Sequence, residues 1–318
     1  MTHDELTCPG LDGQNPLGFL AALGLLRVLD DEARRTGGPV PTLRFRDLGY
    51  PAACLGGVGD GDAVARAVLE EAERQHDDPL LSLSYDNEGE EVPAPGSGSR
   101  RDLKPSPRLA GEVLRRARRS SRASADRAAG AFSELVQDNN GNTKPTAFHF
   151  TAGQQEFLRT VGELRGQLSA ALVAQALEGP WVSSPEFKSL SWDASVTRMY
   201  ALRARNPSDE KRGGIPAADW LAMNGLAMLP VLPVRGRLAT TGVRGGWKTS
   251  RFTWPVWDPG ACASVVRSLL GLSVDALDAA QRRALGVWQV YRSSILRADQ
   301  GGYGSFTPAE VVLPPGGG

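Results

Sequence analysis

The chain has 318 residues with 36 Lys/Arg against 36 Asp/Glu, so its zero formal charge argues neither for nor against a nucleic-acid partner. A hydrophobic share of 41% lets a chain of this length bury a sizeable core, while 37 glycines and 22 prolines forecast many loops. Three scattered cysteines suit reduced thiols, and no apolar run reaches the roughly 18–20 residues of a bilayer span. The acidic start MTHDEL lacks the cations of a signal peptide, so a cytoplasmic protein without a membrane partner is expected.

Charge is unevenly spread. Residues 60–92 hold eleven acids against two arginines, whereas 100–127 and 196–251 each hold ten cations against three acids. Solvated helix faces are the ordinary explanation of such runs. Two basic blocks, one of them rich in aromatics, also fit a polyanion surface.

Asn15-Pro16 predicts a helix start, since Asn caps well and Pro at the first helical position sacrifices no hydrogen bond. Leu17, Leu20, Leu23 and Leu26 continue that helix to about Arg34. Gly13, Gly18 and Gly24 would let another backbone come close, and a sheet is the expected neighbour. Residues 41–47 alternate like a strand, 62–75 form an amphipathic helix, and LLSLSY at 80–85 reads as a short strand. A Pro/Gly/Ser loop at 91–100 precedes a basic helix running from Leu109 to Val136. FHF at 148–150 looks like a strand end. Thr151 is then expected to cap one long helix bearing Phe157, Val161, Leu164, Leu168 and Leu172. RFTWPVW at 251–257 is a strand with Phe252, Trp254 and Val256 on one face, followed by helical patterns at 261–271 and 275–297. The irregular mixture predicts an α+β fold. Composition divides it into 1–92, a linker and basic helix at 93–130, and 131–318, the last separate from or continuous with the first.

Hydrolase, zincin, Walker and dinucleotide-binding motifs do not occur in a fitting context, and His3, His76 and His149 lie far apart. No cofactor is expected. His149, between two phenylalanines, reads as a packed histidine. Asp193, Asp219, Asp258 and Asp299 could meet around Mg²⁺ in a composite nuclease site, or be scattered surface acids.

The positive signals concern binding. Arg115, Arg118, Arg119 and Arg122 are spaced to share one helix face that could meet successive phosphates, or dock on the acidic 60–92 block. Arg198, Arg203, Arg205 and Arg212 surround Asn206-Pro207 in a basic loop. In TGVRGGWKTSR, the residues Arg244, Trp247, Lys248 and Arg251 are carried by glycines, as a loop presenting a ring and cations to a nucleic acid would be. These twelve residues are the candidate nucleic-acid contacts.

LDGQNPLGFLAALGLLRVLD resembles the N-terminal signature of proteins from type I CRISPR effector complexes of the U/G subtype: a Gly/Asn-Pro turn feeding a helix of the form ALGLLRLL. FHFTAGQQEFL, LSWDASVTRMYALRARNPS and GIPAADWLAMNGLAMLPVLP resemble that family's later blocks in the same order. The resemblance touches about half of the chain and includes no catalytic motif. It implies a noncatalytic, large-subunit-type component of a Cascade-like antiviral ribonucleoprotein. Such a subunit would contact guide RNA and double-stranded target DNA, touch other effector-complex subunits, and help recruit the helicase–nuclease. In RNA-guided recognition base pairing reads most of the sequence while protein cations hold the backbones. A metal-dependent nuclease and a protein-only scaffold remain the alternatives.

Overall fold

The first strand, β1 (Leu6–Asp12), turns through Gly13 into α1 (Pro16–Thr36). Asn15 accepts from the Leu17 amide at 3.0 Å, and Gly37, at φ +72°, closes the helix with its N–H on the Ala33 carbonyl. The predicted start is therefore made by the residue that announces it, whereas the helix runs past the expected Arg34 to Thr36. The computed structural model describes residues 5–92, 98–151, 155–196, 213–297 and 303–315.

Pro16 to Asp30 are all buried, so α1 is an axle of the core and has no solvent face along that length. A three-stranded antiparallel sheet, in the order β1-β3-β2, is completed by β2 (Thr42–Asp47) and β3 (Pro51–Gly56). After it comes α2 (Gly61–Arg74), capped by Asp60. Next are α3 (Pro107–Ser120), α4 (Arg122–Ala131) and the hairpin of β4 (Phe132–Gln137) with β5 (Thr143–Pro145). Then follow α5 (Phe157–Gly166), α6 (Ala170–Glu178) and α7 (Pro216–Gly225).

The chain next forms a hairpin of β6 (Val231–Val234) and β7 (Arg237–Thr240), then β8 (Val243–Arg244) and β9 (Arg251–Trp257). Two short helices, α8 (Ala263–Leu270) and α9 (Ala279–Ala284), precede β10 (Val287–Arg297), β11 (Gly304–Phe306) and β12 (Glu310–Val311). A second antiparallel sheet runs β11-β10-β9-β8, with β12 also on β10. The fold is α+β. Among the described residues no helix is long and apolar enough to cross a membrane.

Three indoles stitch the second sheet to the first part of the chain. Trp254 donates to the Gly13 carbonyl at 2.8 Å, Trp257 to Leu43 at 2.8 Å and Trp288 to Phe45 at 3.1 Å. Phe19 of α1 sits among Phe45, Phe252, Trp254 and Trp257. One buried cluster runs from Cys8 to Val312 and draws on all three compositional segments.

Several local expectations are corrected. Residues 80–82 lie in turns, because the Asp78 carboxylate accepts from the Leu80 and Leu81 amides at 3.0 and 3.2 Å and curls the chain; of the expected strand only Tyr85 pairs, in isolated bridges to Glu91 and Arg100. The basic helix divides at Ser121, whose extended backbone (φ −163°, ψ 164°) ends α3 while its hydroxyl caps α4. FHF is not a strand. The single long central helix is two: α5 starts at Phe157 and stops at Gly166, and Ser169 caps α6 by accepting from Leu172. Serine competes for the amides of the next turn, which favours a new start over continuation. The helical pattern at 275–297 yields only the short α9, which ends at Ala284, two residues before Gly286 (φ +72°); the β-branched and aromatic residues after that glycine form β10.

Candidate nucleic-acid interface

Arg244 pairs with Arg251 and Val243 with Phe252 across β8 and β9, so residues 245–250 form a hairpin tip. Gly245 has φ +103°, and a Cβ there would lie 2.8 Å from the Thr249 carbonyl carbon, so glycine alone fits. The tip is braced by Gly246 N–H on Thr249 Oγ1 (3.0 Å), Thr249 N–H on the Gly246 carbonyl (3.1 Å) and Ser250 Oγ on the same carbonyl (2.6 Å). The Ser250 carbonyl then accepts from Ile295 of β10 at 2.8 Å. Below, Phe252, Trp254 and Val256 are fully buried, as their alternation predicts, with the Phe252 and Trp254 rings stacked 4.8 Å apart.

Trp247 stands at the tip with 55% of its surface in solvent. The Arg297 guanidinium lies 4.2 Å from its ring centroid and 5.5 Å from that of Phe150. Arg297 donates to the His149 carbonyl at 3.2 Å and to Ala147 at 2.6 Å, and no carboxylate pairs with it among the described residues. Burial alone lowers its pKa, to about 10, so it stays cationic at neutral pH. Sequence reasoning missed Arg297 because β10 was read as helix; the alternation of Tyr291, Ser293 and Ile295, all buried, is the signal that could have found it.

Arg244, Lys248 and Arg251 are exposed. Arg244 is bonded to Ser273 Oγ and lies 3.7 Å from Asp275, which also holds Arg292 at 3.2 Å, so its charge is partly offset. Arg251 has no ion pair among the described residues. The β6–β7 hairpin, whose base meets β8, adds Arg235 (φ +49°) and Arg237 around Gly236 (φ +73°). Both arginines are exposed and without an ion pair among the described residues, and neither was singled out from the sequence.

The expected Arg115–Arg122 face is incomplete. Arg115, Arg118 and Arg119 are exposed on α3, but Arg122 belongs to α4, beyond the break at Ser121, and lies 3.8 Å from Asp126. Neighbouring arginines of the block dock on the acidic segment: Arg108 on Glu90, Arg116 on Glu91 (2.9 Å), and buried Arg127 on Glu71 (3.0 Å) and Asp78 (2.7 Å). Part of the basic block thus docks on the acidic segment, while Arg115, Arg118 and Arg119 face solvent. α3 packs on β4, β4 touches β6 and β7, and β7 touches β8, so the β6–β7 hairpin joins the two exposed basic groups. Arg198, Arg203, Arg205 and Arg212 lie outside the described residues.

Among the described residues the other candidates sit in structural contacts. Asp102 and Thr151 both meet His149 at Nε2, at 2.7 and 3.1 Å. One nitrogen cannot donate to the carboxylate while accepting from the hydroxyl, so no proton relay runs through these three. Asp193 holds Asn15 and Ser195, and Asp258 pairs with Arg44. Asp219 is fully buried in α7, and Asp299 lies outside the described residues. Among the described residues no group of three or more His, Cys, Asp or Glu could hold a metal ion.

Asp219 accepts from the Leu190 and Ile215 amides at 2.9 and 3.3 Å and so ties together the two sides of the 191–214 segment. Burial outweighs these bonds and raises its pKa to about 7. Because that exceeds the unfolded value of 3.8, the folded state binds the extra proton between the two. This contribution to stability is full below pH 4 and is lost as pH rises to 7, a swing of about 4 kcal/mol. Urea unfolding of the parent and of Asp219→Asn from pH 5 to 8 checks this: the parent should lose stability relative to the variant as pH rises.

Compared with known families and curated proteins, the chain matches no family model and no curated sequence.

Proposed function

We propose that this protein is a noncatalytic nucleic-acid-binding subunit, gripping its ligand with the β8–β9 tip. The observation that carries this reading is the half-exposed Trp247 ring, backed by an Arg297 that pairs with no carboxylate among the described residues, with Lys248 and Arg251 close by in the chain. A solvent-facing tryptophan on a glycine-locked turn does not serve the core, and cations beside it supply the phosphate contacts that dominate nucleic-acid affinity. The exposed arginines of β6–β7 and α3 extend the basic surface. The sequence resemblance supports reading such a subunit as part of a type I, Cascade-like antiviral ribonucleoprotein. Guide RNA and target DNA would be its ligands, and neighbouring subunits and the helicase–nuclease its protein partners.

Arg244→Ala with Lys248→Ala is the direct test, read by fluorescence anisotropy on labelled DNA and RNA across a salt series. The parent should bind with a steep salt dependence. The double variant should lose roughly tenfold or more, with a salt slope shallower by about 1.4 on single strands, and equally for all sequences. Unchanged binding at every salt concentration would remove the tip from the interface. Cleavage of either nucleic acid in Mg²⁺ would favour the nuclease alternative, and absence of any binding the scaffold.

A further inference from the structure

Beyond general affinity, the tip has a geometry that selects among nucleic acids. We infer that Trp247 is a stacking platform for an unpaired nucleobase, so that the β8–β9 tip engages single-stranded rather than duplex nucleic acid. This rests on the nucleic-acid reading above.

The inference comes from which side of the ring is occupied. The Arg297 guanidinium covers one face at 4.2 Å, and Phe150 backs that guanidinium at 5.5 Å from its own centroid. The Ala147 and His149 carbonyls hold the guanidinium at this position. Phe150, Arg297 and Trp247 thus follow one another in contact, while 55% of the Trp247 surface remains in solvent. A base stacked on the exposed part of the ring would add a fourth layer.

Preorganisation favours that use, because the ring is already immobilised and little side-chain entropy remains to be lost on binding. The hairpin beneath is anchored through Ser250 and Ile295 to β10, the strand that ends in Arg297. Ring and guanidinium thus hold their spacing through one sheet. Lys248 and Arg251, next to the ring in sequence, would take the phosphates on either side of the stacked base.

Duplexes hide base faces except at their ends, whereas every base of a single strand can offer one. A phosphate-only grip would not discriminate between them. Arg297 acts here as a positioning residue, since it meets the ring and not the ligand.

Anisotropy titrations at two salt concentrations decide the matter with four probes of about 15 nucleotides: a DNA single strand, an RNA strand of that sequence, its duplex, and a DNA strand lacking every base. The parent should bind the DNA or RNA strand about tenfold more tightly than the duplex or the baseless strand, and quench Trp247 emission only with the former. Trp247→Ala should erase that preference while keeping salt-dependent binding, and Trp247→Phe should restore most of it. A preference for DNA over RNA strands, or the reverse, identifies the source of the base.

Equal binding of all four probes by the parent overturns the stacking role yet leaves the nucleic-acid reading intact. A Trp247→Ala loss confined to the duplex would overturn it in favour of a ring wedged between base pairs. No salt-dependent binding to any probe would overturn the nucleic-acid reading itself.

Discussion

Gly24→Ala is expected to destabilise the protein by about 3 kcal/mol or more, although alanine is normally the better helix former. At the crossing of α1 and α7 a Cβ on residue 24 would run into the Leu221 carbonyl, with its carbon at 2.6 Å and the Gly225 nitrogen at 2.8 Å. The obstacle is backbone and cannot rotate away, so the helices must separate. Gly225 makes the reciprocal approach, its Cβ position lying 3.1 Å from the Leu20 carbonyl carbon. Because α1 is buried from Pro16 to Asp30, a shift there disturbs both sheets as well as α7. Urea denaturation gives the measurement, and Gly166→Ala is the control. Gly166 ends α5 with open space around its Cβ position, so that variant should stay within about 0.5 kcal/mol of the parent. A Gly24→Ala protein as stable as the control would mean that the helices do not approach so closely.

Trp254→Ala should cost about 3–5 kcal/mol. The ring is fully buried against Phe252 and Phe19, and its indole N–H satisfies the Gly13 carbonyl. Truncation leaves both a cavity and an unpaired buried acceptor. Trp254→Phe refills part of the space but not the hydrogen bond, so it should retain a residual loss of about 1–3 kcal/mol. The tip stands on this strand, so Trp254→Ala should also speed amide exchange at Ile295, whose N–H reaches the Ser250 carbonyl. Denaturant titration together with exchange at that one amide separates lost core packing from a loosened tip; an Ile295 amide protected as in the parent would show that the core does not brace it.

The stretch TGVRGGWKTSRFTWPVW shows how far the residues alone could be read. Alternation placed Phe252, Trp254 and Val256 inside, and the glycines marked the turn that carries Trp247; all four lie as expected. The N-cap of α1 was legible for the same reason: such a cap is a local contact between a side chain and an amide two residues away. Arg297 was not legible. It lies fifty residues from Trp247 in the chain, and only the pairing of β9 with β10 brings the strand it ends next to the tip. Whether an arginine of the 100–127 block faces solvent or an acid was equally undecided, since Arg116 and Arg119 differ only in what α3 packs beside.

The sequence by itself determined the α+β mixture, the start of α1, the inward face of β9 and the glycine-built tip, because each depends on dihedral preference or periodicity within a few residues. Tertiary structure decided that Gly24 meets a helix, that residues 287–297 are strand, and that Arg297 lies over Trp247. Those outcomes depend on which distant surfaces meet, and burial and pairing across the chain outweigh local propensity where the two compete.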